Sequence, residues 1–338
     1  MAVSGGCITA GGRDNGDRLS GLAGTAAKLA PVVVVFGGGV VFARRKLIGA
    51  ESSKAFSDFA FLFAIPCYLF GSLYASDLGQ VFDPVAIAAY LATVFVGMAV
   101  VGATARRVMG ADVRGTALRI MAGVQVNTTY FAIPVFVLLF DDAAPVFPTI
   151  LLQVCVLTVV VIAIMEYGAA REDPDRPMRT AVVRGIGAAL GTPIVIACYL
   201  GVAANVTDVP VPGWVRDALA FSGNAAAPVA LFALGLHLGG AGLRLRPAAR
   251  DEYVLIACKC VALPLLAFVV AEYLFGITGP WLTYLVVIAA MPAPQNLFIF
   301  AQRYDTDVDL AAAIVAKTSV IALILLPLWL LITGFTAA

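Results

Sequence analysis

The chain has 338 residues, of which 61% are hydrophobic and 13% charged, and its mean hydropathy is +0.96 with a formal net charge of +1. No soluble fold of this size needs so much apolar surface, so the composition excludes a soluble protein and predicts an all-α polytopic membrane protein. The small net charge excludes a nucleic-acid-binding surface. The six cysteines are scattered, with neither the spacing of a disulfide framework nor that of a metal site.

Residues 1–23 are rich in glycine and serine and mixed in charge, so they are predicted to form a disordered tail and not a cleaved signal peptide. Beyond this tail the chain contains ten apolar runs that reach the roughly twenty residues a helix needs to cross a bilayer. The runs lie at roughly 24–44, 55–75, 84–105, 115–140, 144–166, 182–204, 213–238, 252–275, 281–303 and 309–333.

Basic residues alternate with acidic ones in the joints between these runs. Arg44, Arg45 and Lys46 mark the first joint, whereas Asp77 and Asp83 mark the second, and the alternation continues along the chain. Because basic loops stay in the cytoplasm, the odd joints should be cytoplasmic, and ten crossings then leave both termini outside. We therefore expect a multi-pass protein of the plasma membrane with extracytoplasmic N- and C-termini.

The two halves of the chain are related to each other. The longest joint, a cytoplasmic one at 167–181, separates five runs at 24–166 from five runs at 182–335. A shift of 162 positions aligns Pro31 with Pro193, Gly39 with Gly201, Pro66 with Pro228, and Phe70 with Phe232. Because five is an odd number, the second half must enter the membrane upside down, which is the inverted repeat found in many transporters.

The ninth run is interrupted by two prolines and two amides. Pro292 and Pro294 each remove a backbone donor, and Gln295 and Asn296 follow directly. A break at membrane depth is tolerated where it is buried in protein or lines a polar cavity. Broken half-helices also direct unpaired N–H groups and a positive dipole end at such a cavity. The stretch therefore predicts an anion-binding site at the bilayer midplane, and a proline kink packed in a bundle is the alternative.

The fourth run has a similar interruption, in which Asn127, Tyr130 and Pro134 lie deep among apolar residues. If both broken helices cross near the midplane, the amides of Asn127, Gln295 and Asn296 can converge. Neutral amides can donate to a carboxylate without the desolvation cost of a charge. The alternative is that these amides only cap the broken helices. The predicted substrate-binding residues are Asn127, Tyr130, Pro134, Pro292, Pro294, Gln295 and Asn296.

Supporting roles are assigned to four further residues. Gln153 in the fifth run is expected to form a second polar wall of the cavity. Lys259 lies inside the eighth run, where it either snorkels to the interface or acts as a fixed cation that balances carboxylates. Pro66 and Pro228 are expected to shape the scaffold face opposite the site. Glu166, at the end of the fifth run, is expected to be solvated.

Five motifs are spread in order over about 24–335. They are Ala30-Pro31 through Gly39 to Arg44-Arg45-Lys46, then Ala64-Ile65-Pro66-Cys67-Tyr68-Leu69-Phe70, then Asn127 to Pro134, then Ala227-Pro228-Val229-Ala230-Leu231-Phe232-Ala233-Leu234-Gly235, and last Met291-Pro292 with Asn296 and Ala301-Gln302-Arg303-Tyr304. Their order and spacing resemble the auxin efflux carrier family of membrane transporters. The short joint between the halves is similar to that of the compact bacterial type, which includes malonate-carrier-like permeases.

This resemblance implies an architecture and a substrate class. It implies ten transmembrane helices arranged as two inverted five-helix repeats, with broken crossover helices 4 and 9. It also implies a scaffold of helices 1, 2, 6 and 7 beside a transport domain of helices 3–5 and 8–10. A homodimer and small organic-anion substrates are further implications.

The function that follows is a secondary active or potential-driven carrier of small organic anions, mono- or dicarboxylates, working by alternating access in an elevator-like manner. No cofactor, metal or nucleic-acid partner is expected, and coupling to H+ or Na+ stays open. A cation–proton exchanger or channel on the same plan and a non-transporting sensor are the alternatives. Exchange would need midplane carboxylates, and runs four, five, nine and ten have none in their middle thirds. No nucleophile–base arrangement or phosphate-binding loop favours an enzyme.

Overall fold

The computed structural model describes residues 15–172, 187, 190–240 and 250–335, and within these residues it contains helices and no strand. The predicted all-helical class is therefore confirmed. The helices are, in chain order, α1 (Asn15–Arg44), α2 (Ser53–Ala75), α3 (Pro84–Arg107), α4 (Val113–Val124), α5 (Ile133–Phe140), α6 (Ala144–Ala170), α7 (Pro193–Val206), α8 (Gly213–Gly240), α9 (Arg250–Leu274), α10 (Pro280–Ala290), α11 (Leu297–Arg303) and α12 (Val308–Ile332).

Most of these helices are suited to a membrane. By length and composition, seven helical segments of the described chain can cross a bilayer. Three further apolar segments are shorter, namely Ala30–Arg44 within α1, together with α7 and α10. The chain is thus a polytopic helical protein, and the count of ten crossings stays a prediction because these three segments do not reach spanning length by themselves.

The first helix begins earlier than the sequence suggests. It starts at Asn15, so a helix and not a disordered tail occupies residues 15–23, while the prediction for residues 1–14 lies outside the described residues. The joint at 167–181 is also partly helical, since a helix continues to Glu172. The rest of that joint falls outside the described part of the chain. Glycine and serine in the tail predicted disorder, but neither residue type prevents the helix from extending outward.

Two groups of helices make up the fold. In the first group, α1 packs along α8, and α7 packs along α2. In the second group, α3, α4 and α6 pack together, as do α9, α10 and α12, and α4 joins the two sets through its contacts with α9, α11 and α12. The two groups meet where α5 contacts α1 and α8. Both interrupted stretches therefore lie within the second group, and α5 faces the first.

Close packing in the first group depends on glycine. A Cβ atom on Gly39 of α1 would collide with the carbonyl oxygen of Phe232 in α8, and one on Gly201 of α7 would lie 3.0 Å from the carbonyl oxygen of Phe70 in α2. Both obstacles are backbone atoms, which cannot rotate aside as a side chain can. The shift of 162 positions that relates Gly39 to Gly201 also relates Phe70 to Phe232, so the two contacts correspond under one shift.

We predict that Gly39→Ala destabilises the purified protein, because the added methyl group must push α1 away from α8. Overpacking of this kind costs about 1–3 kcal/mol. The measurement is the melting temperature in detergent. Gly37→Ala is the matched control, because no atom lies within 4 Å of a Cβ atom at Gly37 and alanine is the better helix former. Equal melting temperatures for the two variants would contradict the close contact.

Candidate functional site

The first interruption separates α4 from α5. After Val124 the backbone becomes extended at Gln125, with φ −70° and ψ 154°, and a wide helical turn at Thr128–Ala132 then leads into α5. The side-chain oxygen of Asn127 accepts a hydrogen bond of 3.1 Å from the backbone N–H of Tyr130 and so caps this turn. Pro134 follows in the first turn of α5, where its missing N–H does little harm. One atom of Asn127 therefore has the capping role that the sequence left open.

The second interruption separates α10 from α11. The backbone leaves the helix at Met291, with φ −62° and ψ 150°, and helical geometry resumes at Leu297. Between them Pro292 and Pro294 are buried. The backbone N–H of Ala293 donates to the hydroxyl of Thr318 in α12 at 3.1 Å. The prolines thus break the helix as predicted, and a neighbouring helix satisfies the freed backbone group.

The two interruptions touch each other directly. The backbone N–H of Asn127 donates a 2.9 Å hydrogen bond to the carbonyl oxygen of Pro292. In an unbroken helix neither group would be available to a partner in another helix. The breaks at 125–127 and 291–296 therefore meet inside the protein, and neither is a simple kink exposed to lipid.

Gln153 of α6 completes the backbone pairing of the first interruption. Its side-chain nitrogen donates to the carbonyl oxygen of Val126 at 2.8 Å, and its side-chain oxygen accepts from the Val126 N–H at 2.8 Å. The sequence assigned Gln153 to a cavity wall, but in the structure its amide pairs with the backbone. Its role is to hold the extended segment in place.

Three amide atoms beside this segment have no hydrogen-bond partner. They are the side-chain nitrogen of Asn127 and both the nitrogen and the oxygen of Gln125, and all three are buried. Leaving a buried polar group unpaired costs about 1–3 kcal/mol, and such groups are rare in native structures. The pair of amides is therefore available to a ligand or to water. Gln125 was not singled out in the sequence, although it belongs to the same interrupted stretch.

Tyr130, Gln295 and Asn296, the other predicted binding residues, are less buried than the contact between Asn127 and Pro292. Tyr130 is half-buried, and its ring stacks on that of Phe61 with the centroids 6.4 Å apart. Gln295 is half-buried and Asn296 is exposed, and the Asn296 side chain forms no capping bond to α11. No hydrogen bond joins either amide to Asn127 in the described part of the chain. The structure therefore joins Asn127 to Pro292, and it leaves Asn296 outside the buried contact.

The supporting prolines and Lys259 differ in burial. Pro66 is half-buried in α2, and Pro228 is exposed in α8. Lys259 is fully buried in α9, and its ammonium lies 3.4 Å from the carbonyl oxygen of Ala289, in the last turn of α10. The snorkelling alternative is therefore wrong, because the ammonium does not reach the surface. It points instead at the end of the half-helix that precedes the second interruption.

A family model described as "Membrane transport protein" matches residues 25–330. The chain belongs to this family of membrane transporters. The resemblance to the auxin efflux carrier family is thereby confirmed. Because the family is one of membrane transporters and the described chain has several apolar helices, the transporter is a multi-pass membrane protein.

Two relatives of the chain are named as transporters. The chain is 29% identical over 131 residues to the "Putative malonate transporter" of Rhizobium meliloti (strain 1021), a match that covers 38% of this chain and 40% of that protein. It is 24% identical over 284 residues to an "Uncharacterized transporter" of Methanothermobacter thermautotrophicus, a match that covers 84% of this chain and 90% of that protein. The transporter thus matches about two fifths of the malonate-named relative's length.

An ion-pair network lies away from the interruptions. Arg119 of α4 is buried and pairs with Asp251 at 2.9 Å and with Asp307 at 2.5 Å. Glu166 is fully buried and accepts a 2.6 Å hydrogen bond from the Tyr304 hydroxyl, so the expectation that Glu166 is solvated is wrong. These bonds tie α4, α6, α9, α11 and α12 together. The signal available in the sequence was Arg119 itself, since an arginine inside a span needs a partner.

A cavity in the described chain lies elsewhere. It has a volume of about 970 Å³, and its lining includes Asp77, Asp83, Asp141, Asp142 and Arg216. The cavity lies between α2 and α8 on one side and the ends of α5 and α10 on the other. Neither Asn127 nor Lys259 lines it. We therefore place the candidate site at the unpartnered amides, because a large opening with a charged rim is a poorer indicator of chemistry than buried groups that lack partners.

We predict that Gln153→Leu lowers the melting temperature of the purified transporter. The substitution leaves the N–H and the carbonyl of Val126 unpaired in a buried place, at about 1–3 kcal/mol for each group. Gln302→Leu is the control, because Gln302 is exposed on α11 and its side chain forms no hydrogen bond in the described residues. If Gln153→Leu has the same melting temperature as Gln302→Leu and wild type, Gln153 does not hold the interrupted segment in place.

Proposed function

We propose that this transporter carries small organic anions, mono- or dicarboxylates, across the plasma membrane by alternating access. The observation that carries the proposal is the hydrogen bond between the two interruptions, with three unpartnered amide atoms beside it. The Asn127 nitrogen is a donor without a charge of its own, so it suits a carboxylate that must also be released. The half-helices α5 and α11 begin at these interruptions, and their N-terminal ends add partial positive charge.

The architecture we propose has ten membrane helices in two inverted repeats. The contacts of Gly39 with Phe232 and of Gly201 with Phe70 support it, because one shift of 162 positions relates them. A similar parallel supports two crossover helices. In the first half α6 supplies Gln153 to the backbone of Val126, and in the second half α12 supplies Thr318 to the backbone of Ala293.

The movement we propose is that of an elevator. Helices α1, α2, α7 and α8 would form the scaffold, and the second group, which contains both interruptions, would move against it. The packing of α1 on α8 and of α7 on α2 through glycine supports a rigid scaffold. The ion pairs of Arg119 support a second group that moves as one body. A homodimer joined through the scaffold, with both termini outside the cytoplasm, completes the proposal.

The energy source is proposed to be the membrane potential or a coupled H+ or Na+ gradient, as in a secondary active or potential-driven carrier. The substrate class agrees with the name of the malonate-named relative, to which the chain is 29% identical over 131 residues. A cation–proton exchanger or channel is less well supported, because the interruptions hold prolines and amides and no carboxylate. A non-transporting sensor would bind the same ligand but would not carry it across the membrane.

We predict that Asn127→Ser reduces carboxylate flux in proteoliposomes by a factor of about 10 to 100, because a hydrogen bond to a charged group contributes about 1.5–3 kcal/mol. Serine keeps an oxygen that can cap the turn at Thr128–Ala132, so folding should be preserved while the donor nitrogen is lost. The measurement is uptake and efflux of labelled malonate and acetate, with the melting temperature of each variant measured alongside.

Asn127→Ala and Asn296→Ala are tested beside it, with Gln302→Ala as an exposed amide control on α11. Unchanged transport in both Asn127→Ala and Asn296→Ala would remove the assigned site. Ion-selective currents with no organic-anion flux in wild type would favour the exchanger or channel instead.

A further inference from the structure

Lys259 is a fully buried lysine in the middle of α9 with one hydrogen bond. Its ammonium lies 3.4 Å from the carbonyl oxygen of Ala289, which is long for a hydrogen bond of this kind. On the same helix, Asp251 pairs with Arg119 and Glu252 pairs with Lys317, and Glu272 lies thirteen positions beyond Lys259 along α9. Within the described residues, no carboxylate therefore lies within ion-pair distance of the Lys259 ammonium.

Stability does not account for this lysine. An ammonium ion that is removed from water and has no carboxylate partner destabilises a fold, and an apolar side chain of similar length is often tolerated as well or better. A charged group that faces the interior of a membrane protein commonly has a functional role. The long hydrogen bond to Ala289 is too weak a contact to hold α9 against α10 by itself.

The position of Lys259 gives its charge a clear electrostatic effect. Ala289 is in the last turn of α10, where the free carbonyl groups carry partial negative charge, and the ammonium offsets that charge. With that negative charge offset, the N-terminal end of α5 contributes partial positive charge at the first interruption. Ala289 and Pro292 are three positions apart, which is at most about 11 Å of extended chain. The fixed charge therefore lies near the contact between Asn127 and Pro292.

We infer that Lys259, in its protonated form, is an internal cation that makes the site prefer dianions to monoanions. The inference rests on the proposed carboxylate function and narrows its substrate class to dicarboxylates. Two unit charges about 10 Å apart, at the effective dielectric constant of a protein, change each other's binding by about tenfold. A dianion gains this factor twice and a monoanion gains it once. Lys259 is thus a positioning and selectivity residue that acts through space on the bound anion.

The test compares the affinities of the purified transporter for malonate and acetate near neutral pH, where malonate is mostly a dianion. We expect Lys259→Met to reduce the affinity for malonate relative to acetate by about tenfold, and to melt at the same temperature as wild type or higher. Lys259→Arg should keep most of the preference. Lys54→Met is the matched control, because it removes one positive charge from an exposed side chain in α2.

An unchanged malonate-to-acetate ratio in Lys259→Met, or an equal fall in Lys54→Met, would overturn the assignment. A Lys259→Met protein that melts well below wild type would show that the lysine is structural, and would overturn it as well. If wild type binds neither acid, the proposed carboxylate function itself fails. If wild type prefers malonate and Lys259→Met keeps that preference, only the role of Lys259 is lost.

Discussion

The hydrogen bond from the Asn127 N–H to the Pro292 carbonyl is the constraint on which the rest of the arrangement depends. A bilayer offers no partner to a backbone group, so a helix can be broken at membrane depth only if something within the protein satisfies the freed groups. Here each break supplies a partner to the other, Gln153 of α6 pairs with both backbone groups of Val126, and Thr318 of α12 accepts from the Ala293 N–H. Once the backbone is satisfied in this way, the amides of Gln125 and Asn127 are left over for other contacts.

The parts of this structure that follow from local chemistry were open to prediction from the sequence. The class follows from composition, and the breaks follow from proline, because the missing N–H and the ring exclude a regular helix whatever the surroundings. The offset of 162 positions that relates Gly39 to Gly201 was also visible in the sequence. The start of α1 at Asn15 could not be predicted from the sequence, because glycine and serine weaken a helix without excluding it.

The partners of polar side chains could not be read from the sequence, because they depend on which helices pack together. Gln153 was expected beside a cavity and instead pairs with Val126, which is 27 positions away. Glu166 was expected in solvent and instead meets the Tyr304 hydroxyl. Lys259 had enough side-chain length to reach the interface, and only the packing of α9 against α10 directs it inward. In each case the local sequence permits several partners for the side chain, and the packing of the helices selects one.

The contact between the interruptions is made by main-chain atoms, and this affects how the family can diverge. Substituting a side chain cannot delete a peptide N–H or a peptide carbonyl, with proline at the donor position as the exception. Selection on this backbone contact therefore constrains the path of the chain more than the identity of its residues. Divergence to 24% identity changes side chains at most positions, and it leaves a peptide N–H in place wherever proline is not introduced. Side chains that set substrate preference can then change while the backbone contact between the interruptions is kept.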